Sequence, residues 1–257
     1  MSFDHPAFAP YRALIRELAL ASALPSLDRL NALAAARSTT QAHGLPLRFI
    51  APDGRLSARE YETHILQTGQ VPTRPDTWHD VLNALVWMRF PRFKSALNVV
   101  HGEAIAIETD SRRGRRRDAM TVLDESGVWV ISQGAFLPSL LTGRGWQPLF
   151  WDHRQDVEAT MNFVVVGHAL LEKALTPYAS MTGKCLTLIS TTLDPDSVEQ
   201  QAVSALHAIE SPRQLAPMPV QGIPGWDAAN TSPAYYANQE IFRPARNGTL
   251  GLADQFE

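Results

Sequence analysis

Apolar residues recur at helical spacing on both sides of Pro91, in TWHDVLNALVWMRFPRFKSALNVVH, residues 77–101. At 100° per residue, Trp78, Val81, Leu82, Leu85 and Val86 share one face of a first helix. Pro91 ends that helix and opens a second, with Phe93, Ala96, Leu97 and Val100 as its apolar face. The same period predicts helices over residues 10–23 and 27–35, the latter begun by the cap residue Ser26. Residues 45–54 read as a short strand closed by an Asp-Gly turn, and residues 61–66 suit either strand or helix. Two prolines break residues 71–75. Residues 119–132 predict a hairpin, with β-prone runs on either side of a turn at 124–127. A short helix is expected near Pro138. Residues 158–175 read as one long helix, apolar nearly all round and ended by Pro177. The competing reading makes NFVVVG a strand and places His168 at a helix start. A strand at 185–193 and an amphipathic helix at 196–209 follow. From residue 211 onward proline, glycine and aromatic residues predict an extended, wrapping tail, with Trp226 buried or closing a cavity. The sum is an α+β fold: a mainly helical single domain over residues 1–257, with a small antiparallel sheet and a C-terminal strap over 211–257.

Composition narrows the classes. The chain has 257 residues, 45% of them hydrophobic and 19% charged, which suits a globular domain with a sizeable core. A formal net charge of −3 argues against non-specific duplex binding. Cys185 is the only cysteine, which excludes a disulfide framework and a cysteine zinc cluster. The first residues carry acids and arginine where a signal peptide has its apolar run, and no stretch reaches the roughly 18 apolar residues of a membrane span. The expectation is a cytoplasmic protein with no membrane partner. No pattern in the sequence sets an oligomeric state.

Polar residues interrupt both helices of the opening stretch. His79, Asp80, Asn83 and Trp87 fall within about 100° of arc on the first. Lys94, Asn98 and His101 line up on the second at spacings of four and three. Ordinary structure explains part of this: Thr77 to Asp80 fits a capping box, with Asp80 reaching back, and Lys94 and Asn98 suit a solvated face. The grouping points the other way. Each helix carries a His–Asn pair, and Trp87 lies on the side of His79 and Asn83, as a pocket wall would. Further along, His168 and Glu172 are four apart and share a face, which fits either a buried His–Glu hydrogen bond or a pair of metal ligands.

The run SRRGRRRD places Arg112, Arg113, Arg115, Arg116 and Arg117 before Asp118. Guanidinium forks suit phosphate or carboxylate. The first of these arginines read as a solvated loop, whereas Arg117 and Asp118 stand at the mouth of the expected hairpin strand. Asp124 and Glu125 read as turn residues. Thr182-Gly183-Lys184 lacks the other residues of a phosphate loop, and neither G-x-S-x-G nor H-E-x-x-H occurs.

Five segments carry a resemblance: YETHILQTGQVPTRPDTWHDVLNALVWMRFPRFKSALN, RRDAMTVLDESG, VVGHALLEKAL, GIPGW and the later FRP. From about residue 45 to residue 244 the chain resembles the bacterial domain of unknown function 3025. The resemblance implies no catalytic residues. It implies that the WHD, RRD, GHALLEK and GIPGW segments belong to one design.

Two functions stay open at this point. One is a hydrolase, metal-assisted, on an anionic or phosphate-bearing substrate. Its catalytic candidates are His79, Asp80, His101, Asp118, His168 and Glu172, and a divalent metal would take His79, His101, His168 and Glu172 as ligands. Asn83, Trp87, Lys94, Asn98, Arg117 and Trp226 would bind the substrate. The other is a non-catalytic module for a small anion or a single nucleic-acid strand, held by the arginines and stacked on Trp87, Trp146 or Trp226.

Overall fold

The computed structural model describes residues 2–41, 43–108 and 113–245. A 3₁₀ turn, Pro6–Tyr11, leads into helix α1, Arg12–Glu17, and then α2, Leu27–Ala36, capped by Ser26 as expected. Strand β1, Arg48–Ile50, pairs in parallel with β2, Gln70–Pro72. Between them lies α3, Ala58–Thr68, opened by a capping box of Ser57 and Glu60. The ambiguous residues 61–66 are therefore helical, and the expected break at 71–75 supplies two residues of β2.

Next come α4, Trp78–Arg89, and α5, Pro91–Ile107, divided at Pro91. No side chain of its own caps α5. Glu199 does so from another element, accepting from the backbone N–H groups of Arg92 at 3.0 Å and Phe93 at 3.1 Å. Helix α6, Arg115–Ser126, runs directly into strand β3, Gly127–Ser132. Then follow α7, Phe136–Thr142, a π-helical turn, α8, Arg154–Thr160, β4, Met161–Val165, and α9, His168–Ala174. Strand β5, Thr182–Ile189, helix α10, Pro195–Leu206, strand β6, Ala216–Pro219, and the short α11, Pro233–Tyr236, complete the chain. The larger sheet has the order β4-β3-β5-β6. It is mixed rather than wholly antiparallel, because β3 runs parallel to β5. All six residues of β3 are buried.

Two expectations fail here, for local reasons. The hairpin at 119–132 is a helix followed by a strand. Ala119, Met120 and Leu123 lie three and four apart, and coiling them buries all three at once, which outweighs the β preference of Thr121 and Val122. The single helix at 158–175 is α8, β4 and α9, so the competing reading of NFVVVG as a strand is the correct one. The tight junction needs glycine. A Cβ on Gly167 would stand 2.4 Å from the Gly127 nitrogen and 2.5 Å from the Ser126 nitrogen. That contact lets both Val166 and Gly167 donate to the Gly127 carbonyl, at 2.9 and 3.0 Å.

The buried apolar side chains form one cluster, with Trp129 of β3 between Phe90 and Phe93. The tail joins the same cluster through Tyr236 and Phe242. Asn230, almost fully buried, fastens it by donating to the carbonyls of Gln221 at 2.8 Å and Ile223 at 2.7 Å. Trp226 is half-buried and edge-on to the His5 ring, centroids 5.3 Å apart, so it packs against the N-terminal turn. Replacing Asn230 by alanine removes the side-chain donor of the buried Gln221 carbonyl and one of the two donors to Ile223, whose other is the Trp226 N–H. It should lower stability by about 1–3 kcal/mol, seen as a lower urea midpoint with an unchanged m-value. An unaltered midpoint would show that the tail is fastened elsewhere.

Candidate functional site

Helices α3, α4 and α6 and the start of α9 surround a cavity of about 700 Å³. Its wall includes Tyr61, Glu62, Arg74, His79, Asp80, Asn83, Thr121, Asp124, Glu125 and His168, with Arg55 and Arg113 at the rim. His79 arrives from the first turn of α4, which Thr77 caps by accepting from the Asp80 N–H. Asp80 does not reach back to Thr77. Its carboxylate takes the Arg74 N–H at 2.7 Å and the guanidinium at 2.9–3.0 Å, pinning the approach to α4. His168 opens α9 directly after Gly167, and the Gly127–Gly167 contact brings it to the end of α6, where Asp124 and Glu125 lie.

The two imidazoles face each other, with Nε2 atoms 3.0 Å apart. Behind His79, its Nδ1 lies 2.9 Å from Glu172 Oε2. A carboxylate only accepts, so Nδ1 carries a His79 proton, and in the neutral ring Nε2 presents a lone pair. His168 is then in conflict. If its proton is on Nε2, its Nδ1 lone pair stays buried without a hydrogen-bond partner, 3.8 Å from Asp124 Oδ1. If its proton is on Nδ1, two bare Nε2 atoms confront each other. Protonating both nitrogens is opposed by burial, which pushes His168 down to about 4 against the pull of Asp124. A cation between the rings removes the conflict. Glu125 Oε2, 3.8 Å from His168 Nε2, completes the set, and the ligand atoms of His79, Glu125 and His168 all lie within 4.8 Å of one another. Burial and then Asp124 push the Glu125 carboxyl upward.

Beneath this group runs a buried polar network. The Lys94 ammonium is bound to Asp124 and donates to Asn83 Oδ1 at 2.8 Å, and Asn83 donates to the Tyr61 hydroxyl at 3.1 Å. Burial would raise Asp124, but Lys94 outweighs it and the carboxyl lies below its ordinary value. Asn98 donates to the Glu62 carboxylate at 2.7 Å and to its backbone carbonyl at 2.9 Å. Burial, reinforced by Asp124, pushes Glu62 up to about 7.

The family model for Protein of unknown function (DUF3025) matches residues 47–246. The chain belongs to this family. No curated protein and no solved structure matches it.

Within this DUF3025 chain, the cavity brings together His79, Asp80, Asn83 and His168, with Glu172 behind His79. The other sequence candidates lie elsewhere. His101 is buried beside Glu62, its Nε2 4.0 Å from Oε1, and burial pushes it down to about 4. It is not among the grouped ligands, and neither is Glu172. Lys94 and Asn98 face inward and hold Asp124 and Glu62 rather than a ligand. Trp87 is buried, with the Lys94 ammonium 5.3 Å from its ring centre. Arg117 is buried and pairs with Glu108 at 2.8 Å rather than offering itself to a substrate. Asp118, in the first turn of α6, is half exposed and takes Arg113 at 2.8 Å. Neither borders the cavity, because α6 replaces the strand that was to aim them there. Arg112 lies outside the described residues. Sequence reading missed Asp124 and Glu125, taken for a turn, and Glu62. Thr121, Asp124 and Glu125 stand three and four apart, the spacing of one helical face, and that was the available signal.

Replacing Asp124 by asparagine leaves the buried Lys94 ammonium without its counter-ion. The expected cost is about 3–5 kcal/mol, measured by chemical denaturation. Because the folded Asp124 pKa is depressed, its contribution is present above the unfolded value and is lost as pH falls through the folded one. The difference between wild type and variant should therefore shrink in acid. A constant difference down to pH 2 would contradict the ion pair.

Proposed function

We propose that this chain is a metal-dependent hydrolase acting on a phosphate-bearing small molecule, with a divalent transition metal held by His79, His168 and Glu125. The supporting observation is the opposed pair of Nε2 atoms, which two neutral imidazoles cannot satisfy without leaving a ring nitrogen unpaired. Two imidazoles and one carboxylate are a donor set for zinc and its neighbours. Three protein ligands leave coordination positions for water and substrate on the cavity side. When bound, the metal would supply an acidified water and polarise a phosphoryl oxygen.

The chain's own residues do the remaining work. Glu172 holds the His79 proton on Nδ1 and so keeps Nε2 free, the usual role of a carboxylate behind a metal-binding histidine. Asp124 faces His168 Nδ1 and would fix its tautomer in the same way once Nε2 is engaged. Arg55 lines the cavity and makes no ion pair among the described residues, so it is free to take an anion. Arg74 and Arg113 add positive charge beside it while bound to Asp80 and Asp118. The stacking reading gains nothing comparable. Trp87 and Trp146 are buried, and Trp226 is occupied by His5.

Purified protein equilibrated with zinc should retain about one ion per chain after desalting, measured by elemental analysis, as a single three-ligand site requires. His79→Ala and His168→Ala should each abolish retention, and Glu172→Gln should weaken binding about 10–100-fold. A wild-type chain that binds neither zinc nor cobalt would end the proposal.

A further inference from the structure

Glu62 is a carboxyl group of the cavity that neither the proposed metal centre nor an ion pair with lysine or arginine uses among the described residues. It lies on α3, within the same cavity wall as His79 and His168. No lysine or arginine pairs with it among the described residues, and the nearest basic group is His101 at 4.0 Å. That imidazole is buried, and its Nδ1 has no hydrogen-bond partner. The groups around Glu62 come from three helices. From α3 there is Tyr61, whose hydroxyl is pushed well above its ordinary value by burial and then by Glu62. From α5 there are Lys94, Asn98 and His101, and from α6 Arg117 and Asp124. Lys94 is committed to Asp124, and Arg117 to Glu108. A buried carboxylate with no cation of its own keeps its proton. Asn98 binds Oε2, so the proton belongs on Oε1.

We propose that Glu62 is the general acid of this cavity, giving its proton to the leaving oxygen of a phosphate ester of an aliphatic alcohol. The proposal rests on the hydrolase reading above. Water supplies its oxygen to phosphorus, and the bond from phosphorus to the alcohol oxygen breaks with its electron pair on that oxygen. The Glu62 proton neutralises the departing oxygen, and the carboxylate left behind takes the proton released by the attacking water. The products are inorganic phosphate and the alcohol, and Glu62 returns to its starting state. The carboxyls of one cavity are thereby separated in role, Asp124 held ionised by Lys94 and Glu62 held neutral by burial, the arrangement that marks acid from base elsewhere.

The test uses the full chain loaded with zinc, as wild type and as Glu62→Gln, and has two readouts. Infrared difference spectra at pH 6 should show a protonated-carboxyl band that Glu62→Gln lacks. On glycerol phosphate, whose alkoxide needs a proton, kcat/KM should fall about 10²–10⁴-fold in the variant. On p-nitrophenyl phosphate, whose leaving group departs unprotonated, the loss should be at least about tenfold smaller. The alkaline limb of the wild-type pH profile, where activity falls as Glu62 ionises, should be absent from Glu62→Gln. Should Glu62→Gln not fold, Glu62→Ala with added acetic acid replaces it, and restored glycerol phosphate hydrolysis is the expected result. Hydrolysis with no carboxyl band, or with equal losses on both esters, overturns the role of Glu62 alone. A band with no hydrolysis of either ester by the wild type overturns the reaction and the acid together.

Discussion

The Lys94 ammonium is the charge around which the helical half of this protein is arranged. It is only 3% exposed, and its partners come from two other helices, Asn83 of α4 and Asp124 of α6. Taking an ammonium out of water costs several kcal/mol unless its donors are met. Only one placement of α4, α5 and α6 meets them here. Through Asp124 the constraint extends to α9, because His168 must pack over that carboxylate. The cavity is therefore a consequence of satisfying one buried cation. Asn83, Asp124 and His168 each serve the network on one side and line the cavity on the other.

The strand half contributes rigidity where the histidine pair requires it. His168 has no freedom at its N-terminal side, since Gly167 lies on the backbone of Ser126 and Gly127 and donates to the Gly127 carbonyl at the start of β3. Any side chain at Gly167 would push α9 away from α6 and separate His168 from Glu125. His79 is fixed differently, through the Asp80–Arg74 contacts ahead of α4 and through Glu172 behind its ring. Side chains held by elements and by a second layer of hydrogen bonds are the ones precise enough for chemistry.

Legibility followed how local each signal is. Caps and prolines act within a few residues, so Ser26, Thr77 and Pro91 place their helix boundaries correctly. Amphipathic faces put His79 beside Asn83, but they also grouped Lys94, Asn98 and His101 with them, which the fold turns inward, and no local signal brings in His168. The sheet and α6 were harder. Asp-Glu-Ser-Gly at 124–127 is good turn chemistry, and the buried spacing of Ala119, Met120 and Leu123 is decisive only when the surface that covers it is known. Mistaking that helix for a hairpin hid Asp124 and Glu125 and aimed Arg117 and Asp118 at a cavity they do not border. Glu62 was hidden for another reason. A glutamate on an amphipathic helix looks solvated until a neighbouring helix, here α5 with Asn98 and His101, closes over it.

The charges of the cavity can be balanced residue by residue, and the remainder is informative. Arg74 answers Asp80 and Lys94 answers Asp124, while Glu172, outside the cavity wall, accepts the His79 Nδ1–H. Glu62 and Glu125 are left without a lysine or arginine partner among the described residues. A carboxyl in that position has two remedies, to hold a proton or to bind a cation. Glu62 is the more deeply buried, and its neighbour His101 offers no charge, so the proton is its remedy. Glu125 is half exposed and stands beside the two facing imidazole Nε2 atoms, so a metal ion would serve all three groups at once. One carboxyl that keeps a proton beside another that needs a cation is the pairing that acid-assisted, metal-dependent hydrolysis uses.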